Sequence, residues 1–280
     1  MVLTYYVIET YFYIVICYML YVTIFMITVI LLYFLTAKNR VYSRYKSRFT
    51  FVKNTNDLPV DMVYCISMPN RKEYVTKKMN EIGTSYTLFD AISPKDISIL
   101  DYLSMSNTYI PGHKNYRKMT RLPVTLSFFM CFYDAYVNGY DNICIFEDDI
   151  HFPHGMDNLR PTIKEWTNSI SDILFLGYCH LKCSGDFVEM SKNLMKVPDK
   201  HGIVCNHGVA HKKNFIARYV NRSPFLFWSK SNDNTLSSYL AENNICKSIP
   251  KQPIVYQNVS ELGSNNEHIN DNIENNLCMF

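Results

Sequence analysis

Asn142-Ile143-Cys144-Ile145-Phe146-Glu147-Asp148-Asp149 decides how the rest of this chain is read. Ile143 to Phe146 is an unbroken apolar run, the kind that fills a strand covered on both faces in a parallel sheet. Three acids follow at once. Ligands of such sheets bind beyond the carboxyl ends of the strands, and acids gathered there are costly to desolvate unless a cation or several donors meet them. An extended backbone puts Glu147 and Asp149 on one side. Carboxylate oxygens suit Mg²⁺ or Mn²⁺, and these ions suit a diphosphate. The stretch therefore points to a metal-diphosphate site of the sugar-nucleotide kind. A solvated acidic turn is the alternative that residue types alone leave open.

Strand and helix signals alternate on either side of it. Met62 to Met68 is an apolar run ending in Pro69-Asn70-Arg71-Lys72, and Glu73 to Ile82 has helical character until Gly83 stops it. Thr87-Leu88-Phe89 reads as a short strand, and Leu122 to Asn138 as a helix with apolar Leu126, Phe129, Met130 and Tyr133, closed by Gly139. Asp172 to Gly177 is a further strand. Beyond Asp186 the pattern loosens: Gly202 to Ala210 reads as strand and turn, Asn214 to Val220 and Asp233 to Asn243 as helices. This order favours an α/β fold with a mostly parallel central sheet.

The N-terminal part is of another kind. Thr10 to Ala37 is apolar and uncharged, long enough to span a bilayer with tilt. Lys38, Arg40, Arg44, Lys46, Arg48 and Lys53 follow with no intervening acid, which by the positive-inside tendency puts the large domain on the cytosolic face of a single-pass membrane protein. A lumenal placement is the alternative, with Asn221 and Asn258 in formal glycosylation sequons. The expected organisation is an anchor over 1–37, a basic stem over 38–60, a catalytic domain over 61–260 and a polar, frayed tail over 261–280. Nine cysteines leave the redox compartment open, and a net charge of +3 that owes much to the stem gives no case for a nucleic-acid surface.

A strand ending in a basic turn, then Phe89-Asp90-Ala91, a helix with Leu126-Ser127, Gly139 ahead of Ile145-Phe146-Glu147-Asp148-Asp149-Ile150, then Asp172-Ile-Leu-Phe-Leu-Gly177, Cys205-Asn-His-Gly-Val-Ala210, Asp233 and Pro253-Ile-Val-Tyr-Gln257 form an ordered series. That series resembles glycosyltransferase family 25, which includes lipooligosaccharide and collagen-type galactosyltransferases. The resemblance implies a GT-A-like domain that moves galactose or a similar hexose from a UDP-sugar to a glycan or protein hydroxyl, with inversion. Two departures stand out. Tyr74 occupies a position where the family carries an Arg, and Phe128 one where it carries a His.

Roles follow as expectations. Glu147 and Asp149 hold Mn²⁺ or Mg²⁺, which stabilises the departing diphosphate. Arg71, Asp148 and Ser127 bind the donor, and Gly208 lets backbone approach it closely. His207 completes the metal shell or is structural. Asp233 is the catalytic base or a helix N-cap. Cys179, His180, Cys183, Cys205 and His207 form an alternative zinc constellation that lacks paired Cys-x-x-Cys knuckles. A membrane-tethered, inactive relative that binds without turnover is the competing function.

Overall fold

The computed structural model describes residues 2–97, 116–179, 187–198, 203–221, 236 and 239–258. The chain forms two compact units, residues 1–44 and 45–280.

The first unit is helix α1, bounded Val2–Tyr45. Three of its threonines turn inward on their own backbone, Thr23, Thr28 and Thr36 each donating to the carbonyl four residues back at 2.8 Å. Among the described residues no helix is long and apolar enough to cross a membrane, so the anchor expected over 1–37 is not supported.

In the second unit the elements are, in chain order, β1 (Phe49–Val52), β2 (Met62–Ser67), α2 (Lys72–Ile82), β3 (Tyr86–Asp90), α3 (Tyr116–Asn138), β4 (Asn142–Phe146), β5 (Ile150–His151), α4 (Gly155–Thr167), β6 (Ile173–Cys179), β7 (Val188–Glu189), β8 (Leu194–Val197), β9 (Val204–Lys212), α5 (Lys213–Asn221), β10 (Lys247–Pro250) and β11 (Tyr256–Gln257). Nine strands form one sheet in the order β1-β3-β2-β4-β9-β6-β10-β8-β7, while β5 and β11 form a separate pair. Strands β3, β2 and β4 run parallel, as do β6 and β10, and the other pairings are antiparallel. The α/β class expected from the sequence holds, with a sheet that is mixed rather than mostly parallel. Strand β9, between β4 and β6, and strands β1, β8 and β7 towards the two edges all pair antiparallel.

Both faces of the sheet are covered. On one, Val75, Met79 and Ile82 of α2 and Leu159, Ile163 and Trp166 of α4 share a core with Val63, Cys65, Cys144, Phe146, Leu174 and Leu176. Each such side chain contributes about 1.5–3 kcal/mol when fully buried. Gly83 ends α2 at φ +69°, its N–H on the Met79 carbonyl, a conformation that favours glycine. The other core is aromatic: the Phe132 ring of α3 meets His211 of β9 edge-on at 4.7 Å and also contacts Phe215 and Tyr219 of α5. His211 in turn stacks on Phe215 at 5.0 Å. The buried Tyr64 hydroxyl of β2 donates to Asp134 of α3 at 2.5 Å, which pins that helix to the sheet.

Strand β1 corrects the expected stem. Phe49-Thr-Phe-Val52 pairs with β3 from Phe49↔Phe89 to Val52↔Tyr86, and Arg48 forms an ion pair with Asp96 at 3.1 Å. Local β propensity outweighs the surrounding basic run. Helix α4 is not anticipated from the sequence because Pro161 lies within it, yet its buried Leu159, Thr162, Ile163 and Trp166 keep helical spacing. Of the expected helix at Asp233–Asn243, residues 236 and 239–242 are helical, while 233–235, 237 and 238, like the tail from 261, lie outside the described residues.

Two consequences can be measured. Gly177 in β6 lies where an added Cβ would collide with the His207 ring and the Val255 carbonyl oxygen. Gly177→Ala is expected to lower stability by about 1–3 kcal/mol, read as a shift in denaturant midpoint. Burial holds His211 down at about 3 from its ordinary 6.5, so below 6.5 the unfolded chain takes a proton that the folded one refuses. Stability from this group is present above that pH and declines as pH falls towards 3. His211→Phe should flatten the acid-side slope by about 1.4 kcal/mol per pH unit, with His207, lowered to about 4 by burial, supplying a residual slope.

Candidate active site

Chain order reverses between β2 and β4. From β2 the chain passes through α2 to β3 on one side, and β4 later adds on the other. In open α/β sheets the crevice at such a reversal, beyond the carboxyl ends, is where ligands bind. Arg71, Asp148 and Asp149 meet there.

After β2, Met68 remains extended and Pro69–Arg71 makes a single 3₁₀ turn that sets Arg71 at the start of α2, 6% exposed. Its Nη1 donates to Asp148 Oδ1 at 3.0 Å and lies 3.8 Å from Asp149 Oδ2. Asp148 Oδ2 accepts the Met68 N–H at 2.7 Å. Asp149 Oδ2 accepts from Gln257 Nε2 at 2.6 Å, while its Oδ1 is buried with no hydrogen-bond partner among the described residues. Burial pushes both carboxyls above their ordinary value. For Asp148 the Met68 N–H and Arg71 oppose it, and for Asp149 the Gln257 amide and then Arg71. One guanidinium thus faces two desolvated carboxylates.

The pairing of Glu147 with Asp149 expected from strand alternation rests on extended backbone, and that premise fails. Glu147 N–H donates to the His207 carbonyl at 3.1 Å, continuing the β4–β9 ladder, and residues 148–149 form a turn before β5. The acids gathered on Arg71 are therefore Asp148 and Asp149.

The remaining expected site residues fall elsewhere. Ser127 is fully buried, its hydroxyl accepting the Ile92 N–H at 2.9 Å and donating to the Pro123 carbonyl at 2.8 Å, so it ties the segment after β3 to α3. Gly208 lies opposite both Phe146 and Gly177, and a Cβ there would press the Phe146 ring at 3.2 Å and Val255 at 3.1 Å, which makes its smallness a packing requirement. His207 hydrogen-bonds the Val255 backbone and stays neutral at pH 7, with Nδ1 buried and unpartnered among the described residues. Asp233, and His180 and Cys183 of the alternative zinc constellation, lie outside the described residues.

Three residues here carry no role in the sequence reading. Gln257 bonds Asp149 directly. Asn258 donates its N–H to the Asp149 carbonyl at 2.6 Å and its amide to the Tyr74 hydroxyl at 2.8 Å. Tyr74 donates to the Ile150 carbonyl at 2.9 Å, so the residue that replaces the family's Arg ties α2 to the chain just past the acids. Pro253 to Gln257 was visible as a motif, but nothing local announced its partner.

The leftover acceptor is a carboxylate oxygen, the hard donor that Mg²⁺ or Mn²⁺ takes, and Asp149 fits such an ion. Among the described residues no three His, Cys, Asp or Glu side chains converge as a metal-holding group. The fit is thus to an ion held by one or two carboxylates, with substrate phosphate and water for the rest.

Comparison with known proteins bears on the same segment. A glycosyltransferase 25 family member of Drosophila melanogaster is 26% identical over 149 residues, covering 49% of this chain and 24% of that protein. The chain therefore spans about a quarter of that curated relative's length. Two solved structures have a partial likeness. One, described as a glucose-1-phosphate thymidylyltransferase from Bacillus anthracis, has a TM-score of 0.38 at 13% identity over 74% of this chain and 76% of that one. The other, the inositol-1-phosphate CTP transferase from T. maritima, has a TM-score of 0.31 at 12% identity over 66% and 64%. At these TM-scores neither bears on fold or function. The model of glycosyltransferase family 25 (LPS biosynthesis protein) matches residues 60–253, well over half the chain and including Arg71 and the acidic turn. This chain belongs to glycosyltransferase family 25.

Proposed function

We propose that the second unit transfers a sugar, galactose or a similar hexose, from a UDP-sugar to a hydroxyl of a glycan or protein acceptor, on a GT-A-like site. The observation that carries this reading is the buried Arg71–Asp148–Asp149 cluster at the reversal of the sheet, where one carboxylate oxygen has no partner. Family membership supplies the reaction class.

Departure of a nucleoside diphosphate develops negative charge. A bound Mn²⁺ or Mg²⁺ would stabilise that charge as a Lewis acid, with Asp149 as its protein ligand. Asp148 keeps Arg71 in place, since its two oxygens are taken by the guanidinium and the Met68 N–H. Arg71 lowers the cost of burying both acids and orders the turn that follows β2. Asp233 is the proposed base that takes the acceptor's proton in a single inverting displacement.

The test is hydrolysis and transfer from a panel of nucleotide sugars by the full-length chain, with and without Mn²⁺. Asp149→Ala is expected to lower metal-dependent turnover roughly 10²–10³-fold. Asp233→Asn, which preserves any N-cap, is expected to abolish transfer while leaving donor binding intact. Donor binding by the wild type with no turnover of any sugar would assign the chain to the inactive, binding class instead.

A further inference from the structure

The segment from Ile254 to Asn258 closes over the acidic turn. Ile254 and Val255 donate their N–H groups to the Leu176 carbonyl at 3.1 and 3.2 Å, anchoring the segment on β6. Tyr256 and Gln257 then pair as β11 with His151 and Ile150 of β5, the strand that begins immediately after Asp149. Asn258 finishes the strap through the Asp149 carbonyl and the Tyr74 hydroxyl.

Within that frame the Gln257 side chain has little freedom. A carboxylate only accepts, so the amide edge facing Asp149 must be the NH₂. This turns Gln257 Oε1 into a buried position with no hydrogen-bond partner among the described residues. That outcome costs free energy. The same contact occupies Asp149 Oδ2 and leaves Oδ1 buried and unpartnered. Two orphaned acceptors on the two sides of one hydrogen bond mark a place arranged for something other than the fold's own stability.

We propose that Gln257 is a positioning residue: it fixes the rotation of the Asp149 carboxylate so that Oδ1 is presented to the divalent ion of the donor complex, and β11 is the strap that holds it there. This rests on the reading of Asp149 as a metal ligand. The chemistry is that of an outer-shell partner, which orients a ligand without touching the ion and whose loss typically weakens metal binding 10–100-fold.

The experiment is direct titration of Mn²⁺ into the full-length chain with UDP present, following free Mn²⁺ by electron paramagnetic resonance, for wild type and Gln257→Met. The methionine keeps the length of the side chain and removes the donor. The expected result is Mn²⁺ affinity reduced about tenfold or more, with UDP affinity in the absence of metal unchanged and the melting temperature close to wild type. Should Gln257→Met fail to fold, Gln257→Asn gives the same readout, since its amide is one methylene too short to reach Oδ2. Wild-type binding of Mn²⁺ with equal affinity in the variant would overturn the positioning role alone. Failure of the wild type to bind Mn²⁺ with UDP would overturn both this inference and the reading of Asp149 on which it stands.

Discussion

A single buried guanidinium shared between two carboxylates is the constraint on which the rest of the site depends. Arg71 Nη1 is 3.0 Å from Asp148 and 3.8 Å from Asp149, and the three side chains are 7%, 11% and 14% exposed. One positive charge cannot neutralise two carboxylates, and burial raises the cost of the uncompensated one. Removing Arg71 would leave both acids without a paired cation among the described residues. Adding a cation would complete the balance, and Asp149 Oδ1 is the atom left to receive it. The cluster is thus stable enough to be held in one place and electrostatically incomplete, a combination suited to a substrate that arrives with a metal ion.

The fold makes that placement possible. Parallel β2 and β4 deliver their carboxyl ends side by side, and the pairings Met62↔Ile143 through Cys65↔Phe146 fix the register. Asp61 sets the opposite end, its carboxylate accepting the N–H groups of Asp141 and Asn142 at 2.7 and 2.9 Å. With both ends of the strand pair tied, the turn after Phe146 falls against the turn after Ser67. Arg71 and Asp148 are buried there, 6% and 8% exposed as whole residues.

Much of this was legible in the sequence, and the parts that were not share a cause. Apolar runs bounded by turn residues identified β2 and β4 to within a residue, and a basic turn followed by an amphipathic segment identified α2 and Arg71. Alternation misassigned which acids act together because the backbone stops being extended at Phe146. Helix α4 was obscured by Pro161, and β1 by the basic residues around it. Gln257 was out of reach for a different reason. Its partner lies 108 residues away, and a glutamine in an ordinary short apolar segment carries no local signal of such a contact. Tyr74 was noticed as a departure from the family, yet its hydrogen bonds to the Ile150 carbonyl and Asn258 became visible only in three dimensions.

The most direct measurement of the central claim is a crystal structure of the full-length chain grown with Mn²⁺ and UDP. The account predicts the diphosphate over the carboxyl ends of β2 and β4, with manganese bonded to Asp149 Oδ1 and the Arg71–Asp148 pair intact. Nucleotide density elsewhere on the sheet, or manganese bound without any contact to Asp149, would contradict it.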